Sequence, residues 1–272
     1  AVPCELSFAR AGGGGMIPAI GWIDDHRSVS AAARAGVHFL AAAWALFWIG
    51  GFPELRFGAH AVPLGVAGPV LAALAIVWCT NLYNFMDGID GIAGGEAVAV
   101  GGIGGVLLLA SGRPGLAAVA FTVAAASGGV LAWNWAPAKI FMGDVGSGLL
   151  GFLFGTLAVA SERAGGVPLL VWVLLLGVFV FDATATLVRR VLRGERWYAP
   201  HRSHAYQRAV RAGWTHARVS SAVLALNAVL GALAAAATLR PGLPVPALLA
   251  GAALLALVYL LVERRNPMYG GV

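Results

Sequence analysis

Residues 71–102, LAALAIVWCTNLYNFMDGIDGIAGGEAVAVGG, set a polar knot between two apolar runs. The knot, NLYNFMDGIDGIAGG over 81–95, holds two Asn, two Asp and four Gly. The runs beside it approach the length of membrane helices, which need about 20 mostly apolar residues to cross the hydrocarbon. The whole chain shares that character: 272 residues, 60% hydrophobic, 11% charged, mean hydropathy +0.83. This composition excludes an ordinary soluble domain. It predicts an all-α, polytopic integral membrane helix bundle with about eight spans, over 36–52, 63–82, 92–110, 115–135, 146–161, 167–187, 219–238 and 245–262. A single transmembrane domain then fills 1–272, with an atypical start over 1–23 and a basic loop over 188–218. The start has neither an initiator Met nor the charged-then-apolar pattern of a signal peptide. It reads as the tail of a helix whose beginning is missing. Cys4 and Cys79 supply no disulfide framework.

If the spans alternate, fourteen of the eighteen basic residues fall in one set of loops, leaving only Arg56, Arg113, Arg163 and Arg240 in the other. Short cytoplasmic loops are enriched in Lys and Arg, so the first set is cytoplasmic. Topology thus accounts for the net charge of +6, and no nucleic-acid partner is needed. Every aspartate, at 24, 25, 87, 90, 144 and 182, lies in or near the cytoplasmic set, whereas Glu54 and Glu162 lie opposite. A proton or ion path would distribute ionisable groups through membrane depth. Acids gathered at one interface point instead to an active site where water and lipid meet.

Three acidic motifs and one basic one carry the chemistry. In GWIDDHRSVS, residues 21–30, Asp24 and Asp25 repel unless a cation or shared proton relieves them, which suits a metal or general-base role, or else a solvated turn. In the 81–95 knot, Asn81, Asn84, Asp87 and Asp90 recur every third residue and would share one face of a helix end. Such a row offers oxygen ligands to a hard cation such as Mg²⁺. In NWAPAKIFMGDVGSG, residues 134–148, Lys139 suits a phosphate or anchors the helix end at the interface, Phe141 suits stacking on a base, and Asp144 is free for a metal. The stretch from Arg189 to Ser220 is rich in arginine, which grips phosphate by forked hydrogen bonds. Its His201 and His204 lack the neighbouring Cys or acids of a zinc site, so donation to phosphate is the better expectation.

These motifs, GWIDD, NLYNFMDGIDGIAGG, PAKIFMGDVGSGLLGF and HRSHAYQR, stand in the order and with the intervening spans that resemble the polyprenyl-phosphate N-acetylhexosamine-1-phosphate transferases, the superfamily of MraY and WecA, also called glycosyltransferase family 4. The resemblance covers almost the whole chain. It implies transfer of an N-acetylhexosamine 1-phosphate from a UDP-sugar to undecaprenyl phosphate, with release of UMP and with Mg²⁺, or Mn²⁺, as cofactor. It implies Asp144 and Asn84 as metal ligands, Asp87 and Phe141 at the uridine, Asp24 and Asp25 at the lipid phosphate, and His204 with Arg202 at the diphosphate. The family further implies a multi-pass protein of the bacterial cytoplasmic membrane, active on the cytoplasmic face, and a homodimer. The form PHRSHAYQR is similar to a WbpL-like subgroup that begins O-antigen or capsule repeats, and Tyr206 and Gln207 stand where many relatives have histidine. The family's N-terminal helices are not seen ahead of GWIDD, so an inactive fragment is one alternative. A CDP-alcohol phosphotransferase would concentrate its acids in one stretch, and a lipid-linked-sugar transporter or scaffold would place polar residues deep inside spans.

Overall fold

The computed structural model describes residues 4–58, 60–196, 198–199, 201–240 and 242–269, with side chains from residue 12 onward, so the Cys4 side chain lies outside the described residues. Helices α1 (Cys4–His26) and α2 (Ala31–Ile49) pack as a hairpin, followed by strands β1 (Glu54–Phe57) and β2 (His60–Pro63). Then come α3 (Ala67–Met86), α4 (Ile92–Ala110), α5 (Pro114–Asn134) and α6 (Gly143–Arg163). The chain continues through α7 (Leu169–Leu175), α8 (Gly177–Leu192), the short α9 (Ala205–Arg211), α10 (His216–Leu239) and α11 (Pro244–Arg265). Among the described residues seven helices are long and apolar enough to cross a membrane, and the α7–α8 pair makes an eighth if counted as one span. The protein is an all-α, multi-pass membrane protein.

Three expected boundaries are corrected. The span placed from residue 63 begins at Ala67, because β1 and β2 form an antiparallel hairpin there, Glu54 opposite Pro63 and Phe57 opposite His60. The span placed over 167–187 is broken, with α7 and α8 meeting at 82°. At the break Gly177 lets the chain pass close to α10, where a Cβ would stand 3.0 Å from Leu230. The 188–218 stretch is not one loop, since α8 runs to Leu192, α9 lies within it, and α10 starts at His216.

Lipid tails are as apolar as leucine, so close packing and hydrogen bonds, not exclusion from water, hold such a bundle. Glycine supplies the closeness. Gly151 and Gly155, four apart on α6, let that helix meet the backbone of α3, where a Cβ on Gly151 would collide with the Cys79 carbonyl and Thr80 Cα. Gly101 and Gly105 do the same for α4 on α5, against Ala120, Ala124 and Phe121. Tyr83, Phe154 and Phe179 fill the core between α3, α6 and α8, with ring centroids 5.9 and 4.9 Å from Tyr83. Deep in the bundle, Asn227 on α10 donates to the buried Glu96 on α4, an interhelical bond worth about 0.6–2 kcal/mol in a membrane.

The two ends of the bundle differ. At the hairpin end, Glu162 is 1% exposed and accepts from the backbone N–H groups of Arg56 at 2.7 Å and Leu169 at 2.6 Å. The Arg56 side chain pairs with Glu54 at 2.9 Å. The opposite end carries the four motifs.

Candidate active site

The first acidic motif is brought to the third by a missing side chain. Gly21 lies where α1 touches the start of α6, and a Cβ there would stand 2.9 Å from the Val145 nitrogen and 3.0 Å from the Asp144 carbonyl carbon. One turn later come Asp24 and Asp25. Asp24 accepts from the Val29 N–H at 2.7 Å and forms a short ion pair with Arg34 of α2. Ser30 caps α2, accepting from Ala33 N–H at 3.2 Å, a cap worth about 1 kcal/mol. Arg34 also stands 3.9 Å from Asp144, in the first turn of α6. Gly143 turns the chain into α6 at φ +65, in the left-handed region that glycine tolerates, with Asp25 Oδ2 3.3 Å from where its Cβ would be.

The row of Asn81, Asn84, Asp87 and Asp90 does not share one helical face. α3 stops at Met86, Asp87 leaves it at ψ 53, and Gly91 at φ +76 opens α4. The residues therefore divide their work. Asn81 bonds back to the Val77 carbonyl at 2.7 Å and sits 3.2 Å from His38 Nδ1. Asn84 donates to Ser147 of α6 at 3.2 Å, beside Asp144. Asp87 is half-buried. Burial first, and then the charge of Asp144, push its carboxyl up to about 7. Asp90 braces the turn: it accepts from Ala138 N–H at 3.1 Å and lies 3.3 Å from His216, at the start of α10. Asn134 completes that brace, accepting from Gly91 N–H at 3.0 Å and donating to the Ile140 carbonyl at 2.8 Å. The 135–142 segment is thereby held against the knot. On it, Lys139 stands over the Trp133 ring at 5.1 Å, and Phe141 is 79% exposed.

The fourth motif hangs from a residue that lies in none of the four motifs. Asp182, buried in α8, accepts from the N–H groups of Ala205 at 2.8 Å and Tyr206 at 3.1 Å, and lies 3.6 Å from His204 Nδ1. An acid inside a span is the signal that would have found it. His204 is itself buried, its ring between those of Phe85 and Tyr206. Tyr206 donates to the Phe85 carbonyl at 3.0 Å, and its hydroxyl occupies the space that a Cβ on Gly88 would need. His201 is half-buried and Arg202 exposed. Burial, then the neighbouring His204 and Arg190, lower His201 to about 4, which keeps its ring neutral at physiological pH.

Two cavities meet here. A groove of about 470 Å³ runs along α2, α3 and α8, its wall largely apolar with Phe39, Leu74, Trp78 and Leu187, and with His201 and His204 also in its lining. A second cleft, about 320 Å³, is lined by Asp87, Gly88, Asp90, Phe141 and His216. Asn84 and Asp144 line both. Among the described residues no three His, Cys, Asp or Glu side chains gather as a metal site. Mg²⁺ does not require such a cage, because it keeps several waters and takes one or two carboxylates plus substrate phosphates. Asp144 with Asp87 and Asn84 fits that demand: the charge of Asp144 is close enough to disfavour that of Asp87, in the wall of an open cleft.

The family model for glycosyl transferase family 4 matches residues 8–162. The chain is 33% identical over 177 residues, 64% of this chain and 49% of the relative, to the "Probable undecaprenyl-phosphate N-acetylglucosaminyl 1-phosphate transferase" of Bacillus subtilis (strain 168). It is 29% identical over 239 residues, 80% of this chain and 64% of the relative, to the undecaprenyl-phosphate alpha-N-acetylglucosaminyl 1-phosphate transferase of Yersinia pestis. It is 35% identical over 159 residues, 57% of this chain and 48% of the relative, to the phospho-N-acetylmuramoyl-pentapeptide-transferase of Moorella thermoacetica. The chain thus spans from about half to 64% of the length of these curated relatives.

Proposed function

The chain belongs to glycosyl transferase family 4, and from that premise we propose that it transfers an N-acetylhexosamine 1-phosphate from a UDP-sugar to undecaprenyl phosphate, releasing UMP, at the cytoplasmic face of a bacterial inner membrane. The observation that carries this reading is that Asn84 and Asp144 form the shared wall of an apolar groove and a cleft that Asp87 and Asp90 also line. A lipid phosphate can approach along the first and a nucleotide sugar through the second. A phosphate oxygen of the lipid attacks the β-phosphorus of the UDP-sugar, forming one P–O bond, while the bond to the UMP oxygen breaks. The product is a lipid diphosphate sugar.

Such a reaction is mostly positioning and charge neutralisation. Asp144, Asn84 and Asp87 would hold Mg²⁺, or Mn²⁺, which when bound neutralises the diphosphate and the departing UMP. Arg34, beside Asp24 and Asp144 on the groove wall, suits the lipid phosphate, and Asp24 orients it. Asp25, exposed next to Gly143, lies on the same side. Phe141 presents an open ring to the cleft that can stack on uracil. Neutral His201, with the exposed Arg202, suits the diphosphate, while buried His204 helps shape the floor beneath it. Asp90 keeps the turn in place through its bonds to the 135–142 segment and α10.

The test is UMP release by the purified protein in nanodiscs, with undecaprenyl phosphate and a panel of UDP-N-acetyl sugars, with and without Mg²⁺. Release that requires lipid, sugar nucleotide and metal supports the reading, and the preferred sugar decides between an O-antigen or capsule role and another. No release with any sugar overturns it for this chain.

A further inference from the structure

The loop that carries His201 and Arg202, residues 193–204, leaves α8 and re-enters the bundle at α9, and both ends reach one carboxylate. Arg189, near the end of α8, gives Glu263 a forked pair of bonds, Nη1 to Oε2 at 2.6 Å and Nη2 to Oε1 at 2.8 Å. Arg208, on α9 and fully buried, donates its Nη1 to the same Oε2. Glu263 sits in the last turn of α11, and its Oε1 also accepts from the Met268 N–H at 3.2 Å. Next to it, Asn266 and Arg208 exchange bonds, Asn266 Nδ2 to the Arg208 carbonyl at 2.7 Å and Arg208 Nη1 to the Asn266 carbonyl at 3.1 Å. Both guanidiniums lie over the Tyr259 ring, at 5.7 and 4.9 Å.

Within the loop, Arg190 holds the Glu195 carboxylate at 2.7 Å and the carbonyls of Arg196 and Ala199 at 3.1 and 3.2 Å. The loop is thus pinned before, inside and after its course. The pin after it has the most reach. α9 also carries Tyr206, which bonds the end of α3 and packs beneath Gly88, so a shift of Arg208 moves the support of the Asn84–Asp90 turn.

We propose that Glu263 is a positioning residue for the active site: its carboxylate staples Arg189 to Arg208, fixing the two ends of the 193–204 loop and so the places of His201 and Arg202 at the diphosphate of the nucleotide sugar. This rests on the function proposed above. A forked arginine–carboxylate pair fixes direction as well as distance. A second arginine buried on the same oxygen cannot leave without losing its counter-charge to a site that water does not reach. The staple joins α8 and α9 to the distant α11 and contributes no group to the substrate itself.

The variants are Glu263→Gln, which keeps shape and removes charge, and Glu263→Asp, which keeps charge. Amide hydrogen exchange over 195–204 and steady-state UMP release are measured on both, in nanodiscs and per folded molecule. In Glu263→Gln, loop exchange rises and the KM for the UDP-sugar rises about tenfold, as expected for misplaced binding groups. Glu263→Asp restores most of both. Unchanged loop exchange in Glu263→Gln overturns the proposal. So does faster exchange with an unchanged KM for the UDP-sugar, or a lower melting temperature with all kinetic constants intact. Absence of UMP release from the unmutated protein counts against the reaction and not the staple, which the exchange result then supports or overturns alone.

Discussion

The hairpin end and the motif end of the bundle both hold acids at a membrane face, and Asp87 and Asp144 at the motif end stand apart from the two acids of the hairpin. Glu162 spends each carboxylate oxygen on a backbone N–H group, and Glu54 is met by Arg56. Each acid there has a structural partner. At the motif end, Asp87 and Asp144 sit close enough for the charge of Asp144 to help push Asp87 up to about 7, and the Asp144 carboxylate has Arg34 at 3.9 Å. Folding alone gives no reason to keep such a pair, since like charges in a partly buried wall cost free energy. On the proposed function, a cation and a phosphorylated ligand would remove that cost, and the contrast would separate acids that hold the fold from acids that meet a substrate.

Substitutions at the two ends sharpen or break that contrast. Asp144→Asn, or removal of Mg²⁺ with EDTA, is expected to lower UMP release by about 10³-fold, the range for losing a charge-stabilising group in a transition state. Its melting temperature should stay near that of the unmutated protein, as differential scanning fluorimetry would read. Asp87→Asn should cost about 10²-fold in kcat/KM, measured with saturating lipid and varied UDP-sugar. If Asp87→Asn instead left the rate intact and raised the melting temperature alone, its raised carboxyl would be a packing feature.

Gly21→Val tests how the acids are assembled. A side chain at this position meets backbone of α6 and not a flexible tip, so α1 must shift and carry Asp24 and Asp25 away from Asp144. About a tenfold fall in kcat is expected from such a displacement, and full activity would show that the first motif is dispensable. Phe141→Ala should raise the KM for the UDP-sugar about fivefold, in line with about 1 kcal/mol, the lower end for a base stacked on an aromatic ring, and leave stability unchanged because the ring is exposed. Smallest in activity is Glu162→Gln. It should lower stability by about 1–3 kcal/mol by leaving a buried N–H without its acceptor, visible in a denaturation profile, while the rate per folded molecule stays the same.

Much of this was readable in the chain before the fold. The apolar runs mark the spans because lipid demands them, and the asymmetry of arginine separates the two ends. Spacing misled where the chain leaves the helix: Asp87 and Asp90 follow Asn81 and Asn84 at the same interval, but α3 ends at Met86, and of the two acids that line the cleft Asp90 also braces the turn. The break between α7 and α8 was hidden because both halves are apolar. Long-range partners were hidden for a different reason. Asp182 under the fourth motif, Glu263 between Arg189 and Arg208, and Gly21 against α6 acquire meaning only from residues that the fold brings from elsewhere. In the sequence those arginines were indistinguishable from charges that set topology.

The most direct test of the central contrast is UMP release with undecaprenyl phosphate, Mg²⁺ and the preferred UDP-N-acetyl sugar, measured side by side for Asp144→Asn and Glu162→Gln and normalised to folded protein. Asp144→Asn is expected to be folded and inactive, while Glu162→Gln is expected to be less stable and fully active per folded molecule. Equal activity in the two variants, or an active Asp144→Asn, would contradict that contrast.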